Sequence, residues 1–255
     1  MVQAMPYRMT VSPDFTPDHI GGWYIFNAWL QKSLQLPIHL ELYDNFKQQR
    51  KAIGDDQIDL IYANPYDASM LVRDKGFIPV ARPGQTSDEA IIAVNQSSSI
   101  EDIETLGMDT VIALTEDPDV NLICDIMLEP AEIHNSGKQR LIMGSYPLVA
   151  KTLINGKADI GFFLVEAYQS LSRLTKQKLR VLVRSQINVM HHTLLVGPQL
   201  KEHRDLLSRH LLSMKGNSKG AGVMDSMGFN HWENVPDEEM EFMIDLMDTL
   251  NYQPA

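Results

Sequence analysis

Residues 53–62 read IGDDQIDLIY, and residues 154–163 read INGKADIGFF. In full, FKQQRKAIGDDQIDLIY from Phe46 and YPLVAKTLINGKADIGF from Tyr146 pair without a gap, at an offset of 100 residues, 146 less 46. Phe46 meets Tyr146, Ile53 meets Leu153, Asp59 meets Asp159 and Tyr62 meets Phe162. Each copy reads as a helix opened by an aromatic residue, ended by a tight turn and followed by a short buried strand. The chain therefore carries one equivalent helix–strand unit in each of two lobes.

Strand-length apolar runs alternate with helical periodicity on both sides of these copies, which predicts α/β architecture with mostly parallel sheets flanked by helices. RMTVS, IHLELY, IDLIYA and FIPVAR are the strands of a first series, and Asp44-Asn45 offers an N-cap to the helix from Phe46. A polar break, PGQTSDE, precedes a second series running from AIIAVN to LRVLVRS. After residue 190, HTLLVG gives one more strand and the remainder is helical. This order predicts a discontinuous first lobe, residues 1–90 with 191–255, and an inserted second lobe, residues 91–190.

The 255 residues, 44% of them hydrophobic, suffice for a full core. The charge of −11, from 33 acidic against 22 basic residues, disfavours nucleic acid and anionic membrane as partners. A single cysteine, Cys124, excludes disulfides within the chain and thiolate metal clusters, and its apolar helical setting predicts an inert core thiol. The stretch MVQAMPYRMTVS has no basic and apolar succession of an export signal, and no run reaches the length of a spanning helix. A cytoplasmic protein, or a periplasmic one whose leader lies outside this sequence, are both compatible with that.

Catalytic motifs are missing: there is no HExxH, GxSxG, GxxxxGK or GxGxxG. His191-His192 suggest a metal or proton-relay pair, but neighbours on a strand point to opposite faces, so one inward and one outward ring is expected. Met240, Met243, Ile244 and Met247 stand at helical spacing and predict core packing. No metal, cofactor or catalytic residue is expected.

The segment from Phe46 to Tyr66, together with RLIMGSYPLVAKTLINGKADIGFF, resembles the phosphonate-binding family of ABC-transporter solute-binding proteins, and the likeness extends over nearly the whole chain. The resemblance implies a two-lobed, type II periplasmic-binding-protein fold, with crossovers near Ser87–Val94 and Ser185–Thr193 acting as a hinge. It implies a small-molecule ligand held between the lobes, delivery to a membrane permease, and no chemistry on the ligand. Two other readings stay open: a cytoplasmic ligand-sensing or regulatory module of this fold, and a cytoplasmic biosynthetic enzyme using Asp119 and Glu166 as an acid and base couple.

Departures from the family pattern fall at the ligand positions. Pro118-Asp119-Val120 stands where relatives usually begin a helix with Ser-Thr-Ser. Gly144-Ser145-Tyr146-Pro147 replaces Gly-Ser-His-Asp, Phe46 replaces the more common Tyr, and Asn64 replaces Gly. A helix N-terminus offers an anion about 0.3 to 1 kcal/mol through its dipole. A carboxylate about 4 Å from that anion opposes it by roughly 4 kcal/mol at an effective dielectric near 20. Asp119 either faces the ligand or caps its helix, and a cap would itself occupy the amides a phosphonate uses. The expected ligand is therefore a zwitterion, a cation or a polar neutral molecule. Phe46, Tyr66 and Tyr146 would supply aromatic walls, Asn64, Asn121 and Ser145 neutral hydrogen bonds, and Asp119 with Glu166 a negative side. For both opening aromatics the alternative is packing beneath their own loops.

Overall fold

The structure is a computed structural model and describes residues 6–14, 19–131, 139–228 and 230–251. The first five residues, part of the stretch MVQAMPYRMTVS, and Phe229 lie outside the described residues. The chain divides into two compact units, Met1–Ser87 with Val189–Ala255, and Asp88–Asn188.

Unit 1 contains β1 (Tyr7–Val11), α1 (Ile20–Leu34), β2 (Ile38–Leu40), α2 (Phe46–Gly54), β3 (Leu60–Ala63), α3 (Pro65–Lys75) and β4 (Ile78–Pro83). Unit 2 contains β5 (Ala90–Asn95), β6 (Val111–Leu114), α4 (Pro118–Met127), β7 (Gln139–Ile142), α5 (Tyr146–Ile154), β8 (Ile160–Leu164), α6 (Val165–Ser170), α7 (Arg173–Lys176) and β9 (Leu179–Arg184). The chain then returns to unit 1 with β10 (Thr193–Val196), α8 (Arg204–Ser213), α9 (Ser218–Ser226), β11 (Trp232–Glu233) and α10 (Asp237–Asn251).

The sheet of unit 1 has the order β11-β4-β10-β3-β1-β2 and that of unit 2 the order β7-β6-β8-β5-β9. Each has a parallel core, β2-β1-β3 in one and β7-β6-β8 in the other. Each core is flanked by an antiparallel strand that follows a unit-to-unit connection: β10 against β3, and β5 against β8. The expected helix-flanked, mostly parallel α/β arrangement is thus realised, with β10, β11 and β5 as its antiparallel members.

The two repeat copies occupy equivalent places. Asp59 and Asp159 do the same work: each carboxylate accepts an amide at the start of the neighbouring parallel strand, Arg8 N at 2.9 Å and Val111 N at 2.7 Å. In return the amides of Asp59 and Asp159 donate to the carbonyls of Arg8 and Val111, both at 2.9 Å. This reciprocal pair pins the register of the strand pair at its amino end. The preceding turns also match: Asp56 and Gly156 take left-handed backbone at φ 53° and 66°.

That equivalence makes a local prediction. Gly156→Ala meets nothing within 4 Å, so its cost is the left-handed backbone alone, about 1 kcal/mol. Gly54→Ala, at the helical end of α2 with open space around it, should be neutral or slightly stabilising. Urea unfolding followed by far-UV circular dichroism separates the two, and equal effects would contradict the backbone argument.

Packing follows the apolar periodicities. In unit 1, Trp23, Phe26 and Leu30 of α1 are fully buried against Met9, Val11 and Leu60. Gly22 allows α1 to approach α9, since a Cβ there would meet the Ser226 carbonyl oxygen at 2.1 Å. Met240 and Met243 pack against Leu71 and Phe77, and Met247 is buried too, so the methionine stripe of α10 is core. In unit 2, Val149, Ala150 and Leu153 of α5 cover Ala93, Ala113 and Phe163 of the sheet. Cys124 is fully buried, and burial pushes its thiol well above the usual range.

Candidate functional site

In unit 1 the site residues gather where β1 and β3 end and α2 and α3 begin, the sheet edge at which open α/β folds bind ligands. Asn45 caps α2, its Oδ1 accepting from Gln48 N at 2.9 Å. Asn64, fully buried, caps α3 by accepting from Asp67 N at 2.8 Å, and Pro65 fills the first helical position, where no amide is needed. The two starts hold Phe46 and Tyr66 on either side of Arg50, whose guanidinium lies 5.3 Å from one ring centroid and 4.8 Å from the other. Arg50 also grips Asp67 with two bonds, Nε to Oδ1 at 2.7 Å and Nη2 to Oδ2 at 3.2 Å. Burial nevertheless holds the Asp67 carboxyl above its ordinary range, with the Arg50 bonds and charge acting in the opposite direction.

A second ion pair lies on the same unit. His192 Nε2 is 3.0 Å from Asp14 Oδ2, just beyond β1, and the imidazole stacks on Tyr62 at 5.1 Å between centroids. Burial pushes the Asp14 carboxyl up, but the His192 charge and hydrogen bonds from His192 and Ser12 outweigh it, leaving the pKa lowered. His191 turns the other way, its Nε2 lying 2.7 Å from Glu239 Oε1. The histidine pair is thus split between two carboxylates. The expected outward ring is absent, because His192 faces Asp14, and both residues precede β10 rather than sit on it.

In unit 2 the corresponding edge lies where α4, α5 and α6 begin. Asp117 caps α4, with Oδ1 accepting from Val120 N at 3.3 Å. Asp119 is the second residue of the helix and is buried, so the capping role suggested for Asp119 belongs to Asp117. The other Asp117 oxygen, Oδ2, accepts from the Tyr146 hydroxyl at 2.7 Å. Tyr146 itself is half-buried and stacked on Phe163 at 6.1 Å. Asn121 donates through Nδ2 to the Thr115 carbonyl at 2.9 Å. Ser145 precedes α5 without a side-chain capping bond, and Glu166 is exposed in the first turn of α6.

Of the residues chosen from sequence, Phe46, Asn64 and Tyr66 come together around Arg50 and Asp67. Asp119, Asn121 and Tyr146 come together around Asp117, with Ser145 next to Tyr146 and Glu166 on a separate helix start. Arg50, Asp67, Asp14, His192 and Asp117 were not among them. The spacing of Phe46 and Arg50, four apart on a helix, marks a shared face. Asp117 before Pro118 is a cap followed by a proline at the first helical position. Asp14 and His192 are 178 residues apart and carry no local signal.

The chemistry of these edges is carboxylate-rich. Each described basic group in the unit 1 cluster, Arg50 or His192, faces an acid. The starts of α3, α4 and α6 carry Asp67, Asp119 and Glu166. One first-turn amide at each of α2, α3 and α4 is taken by Asn45, Asn64 or Asp117, and Pro147 has no amide to offer at α5.

Against known proteins, no curated sequence matches the chain. Among solved structures, XAC2383 from Xanthomonas citri gives a TM-score of 0.80 at 12% identity bound to chloride and 0.79 at 13% bound to ATP, each over 96% of this chain and 98% of that one. PhnD1 from Prochlorococcus marinus, in complex with methylphosphonate, gives 0.79 at 13% identity with the same coverage. The aliphatic sulphonate binding protein SsuA from Escherichia coli gives 0.68 at 14% identity, over 98% and 92%. These likenesses establish a shared fold. The model of the family described as "ABC transporter, phosphonate, periplasmic substrate-binding protein" matches residues 9–240. The chain belongs to this family of ABC-transporter solute-binding proteins.

Proposed function

We propose that this solute-binding protein captures a cationic, zwitterionic or polar neutral solute rather than a phosphonate, and that the carboxyl edges of its two sheets take the solute. The observation that carries this reading is the start of α4. A phosphonate bound there needs free amides and a positive potential, whereas Asp117 already occupies the Val120 amide and Asp119 adds a second carboxylate at the second helical position. The helix dipole contributes about 0.3 to 1 kcal/mol to an anion, several-fold less than one carboxylate at contact distance opposes. Family membership further suggests that the protein works in the periplasm, passes its solute to an ABC permease and leaves it chemically unchanged.

Calorimetric and thermal-shift titrations with phosphate, phosphite and methylphosphonate test the reading. No binding at millimolar concentration is expected, and micromolar affinity for any of the three would overturn it. Among amines and zwitterions, the solute should raise the melting temperature in a concentration-dependent way. Cell fractionation tests the compartment.

A further inference from the structure

The chain passes between its units twice, leaving unit 1 after Ser87 and returning after Asn188. Within unit 2, both connections meet at one buried carboxylate. Glu89, 4% exposed, stands at the foot of β5, and its carboxylate accepts from three donors on the returning segment. Oε2 takes the Ser185 hydroxyl and the Ile187 amide, the latter at 3.1 Å, and Oε1 takes the Asn188 amide at 2.8 Å. Ser185 relays the contact, since its Oγ also accepts from Ala90 N at 2.9 Å, and its amide donates to the Ala90 carbonyl at 2.9 Å.

In unit 1 another carboxylate lies at ion-pair distance from both connections. Glu239, at the start of α10, lies 3.2 Å from Arg82 Nε, near the end of β4, and 2.7 Å from His191 Nε2, on the returning segment. One glutamate thus ties the outgoing and returning connections at their unit 2 end, and another ties them at their unit 1 end. Among the described residues, four non-glycine residues have left-handed backbone, and two of them fall on these connections: Gln85 at φ 60° and Asn188 at φ 60°. Such residues store local strain and are natural places for φ/ψ change.

We propose that Glu89 and Glu239 are paired hinge latches. Each fastens both connections to its own unit, so that bending is confined to the segment holding Gln85 and to the short segment between the Asn188 amide and His191. A carboxylate suits this task because it accepts from several donors at once without supplying one of its own. The latches fix where the chain bends, and therefore which relative motions of the units are allowed during solute capture. The proposal rests on the solute-binding reading only in assigning a use to that motion.

The test needs no solute. Glu89→Gln is expected to speed amide hydrogen exchange at Ile187 and Asn188 at least tenfold while leaving the β8 amides unchanged. Ser185→Ala keeps the carboxylate and both amide donors and should show a smaller change. Spin labels on cysteines replacing exposed Lys51 and Lys151, one in each unit, then report the distance distribution between units. Cys124 is buried and should stay unlabelled. Glu89→Gln and Glu239→Gln should each broaden that distribution by at least half. Unchanged exchange at Ile187 and Asn188 would overturn the Glu89 latch. An unchanged distribution in a folded latch variant would overturn the hinge role, whatever the solute proves to be.

Discussion

Methylphosphonate is expected to bind the Asp117→Ser, Asp119→Ser double variant about a thousandfold more tightly than the unaltered chain. The figure comes from removing one carboxylate about 4 Å from the anion, roughly 4 kcal/mol at an effective dielectric near 20, with each 1.4 kcal/mol a factor of ten. Serine at 117 still caps α4, so the helix start survives while its charge disappears. The Tyr146 hydroxyl, which donates to Asp117 in the unaltered chain, becomes available to a ligand oxygen. Calorimetric titration of both proteins measures the difference. Because the effect is electrostatic, it should shrink as salt is raised from low to physiological strength. Equal weak binding by both proteins would show that these carboxylates are not what excludes the anion.

Arg50→Ala is expected to destabilise unit 1 by about 3 kcal/mol, below the upper range for breaking a buried ion pair because Arg50 is one-third exposed. The cost arises at its partner: the Asp67 side chain is 1% exposed and would lose both guanidinium bonds. At about 2 to 4 °C per kcal/mol, the melting temperature should fall by roughly 6 to 12 °C. All three tryptophans, Trp23, Trp29 and Trp232, belong to unit 1, so tryptophan fluorescence during urea unfolding follows the affected unit directly.

The pH dependence has a definite sign. Burial already raises the Asp67 pKa in the folded chain, so its contribution to stability is most favourable in acid and declines as pH rises from the unfolded carboxylate value through the folded one. Removing Arg50 removes the groups that oppose that rise. The deficit of Arg50→Ala should therefore be largest near neutral pH and narrow in acid, where the carboxyl is protonated. Replacing both partners, as in Arg50→Met with Asp67→Leu, should recover most of the loss. A deficit independent of pH would show that lost packing on Phe46 and Tyr66 dominates instead.

The repeated phrase made the fold legible because it encodes backbone events: a helix end, a left-handed turn residue, and an aspartate that pins the next strand. Asp59 and Asp159 read as equivalent junctions from sequence, and the reciprocal bonds to Arg8 and Val111 explain the equivalence. The residues around the site were only partly legible. Asp119 drew attention as the residue aligned with the family's hydroxyl run, whereas the cap is set by Asp117, the residue just before the proline. Phe46 and Tyr66 were visible as aromatics, but the cation between them comes from one helical turn along α2 and its acid from α3. Asp14 and His192 meet through sheet topology, because β10 lies beside β3 and β3 beside β1. Nothing in a local window foretells that.

The position of β10 also bears on how the chain is made. Residues 193–196 lie between β3 and β4, so the sheet of unit 1 has a gap in its middle until the ribosome has passed Val196. Unit 2, continuous from Asp88 to Asn188, has every strand of its own sheet before that moment. During synthesis the inserted unit is thus able to fold first, while the unit that began the chain waits, with β3 and β4 each lacking a neighbour. The first strands to be made therefore cannot lock into a finished sheet until most of the chain exists.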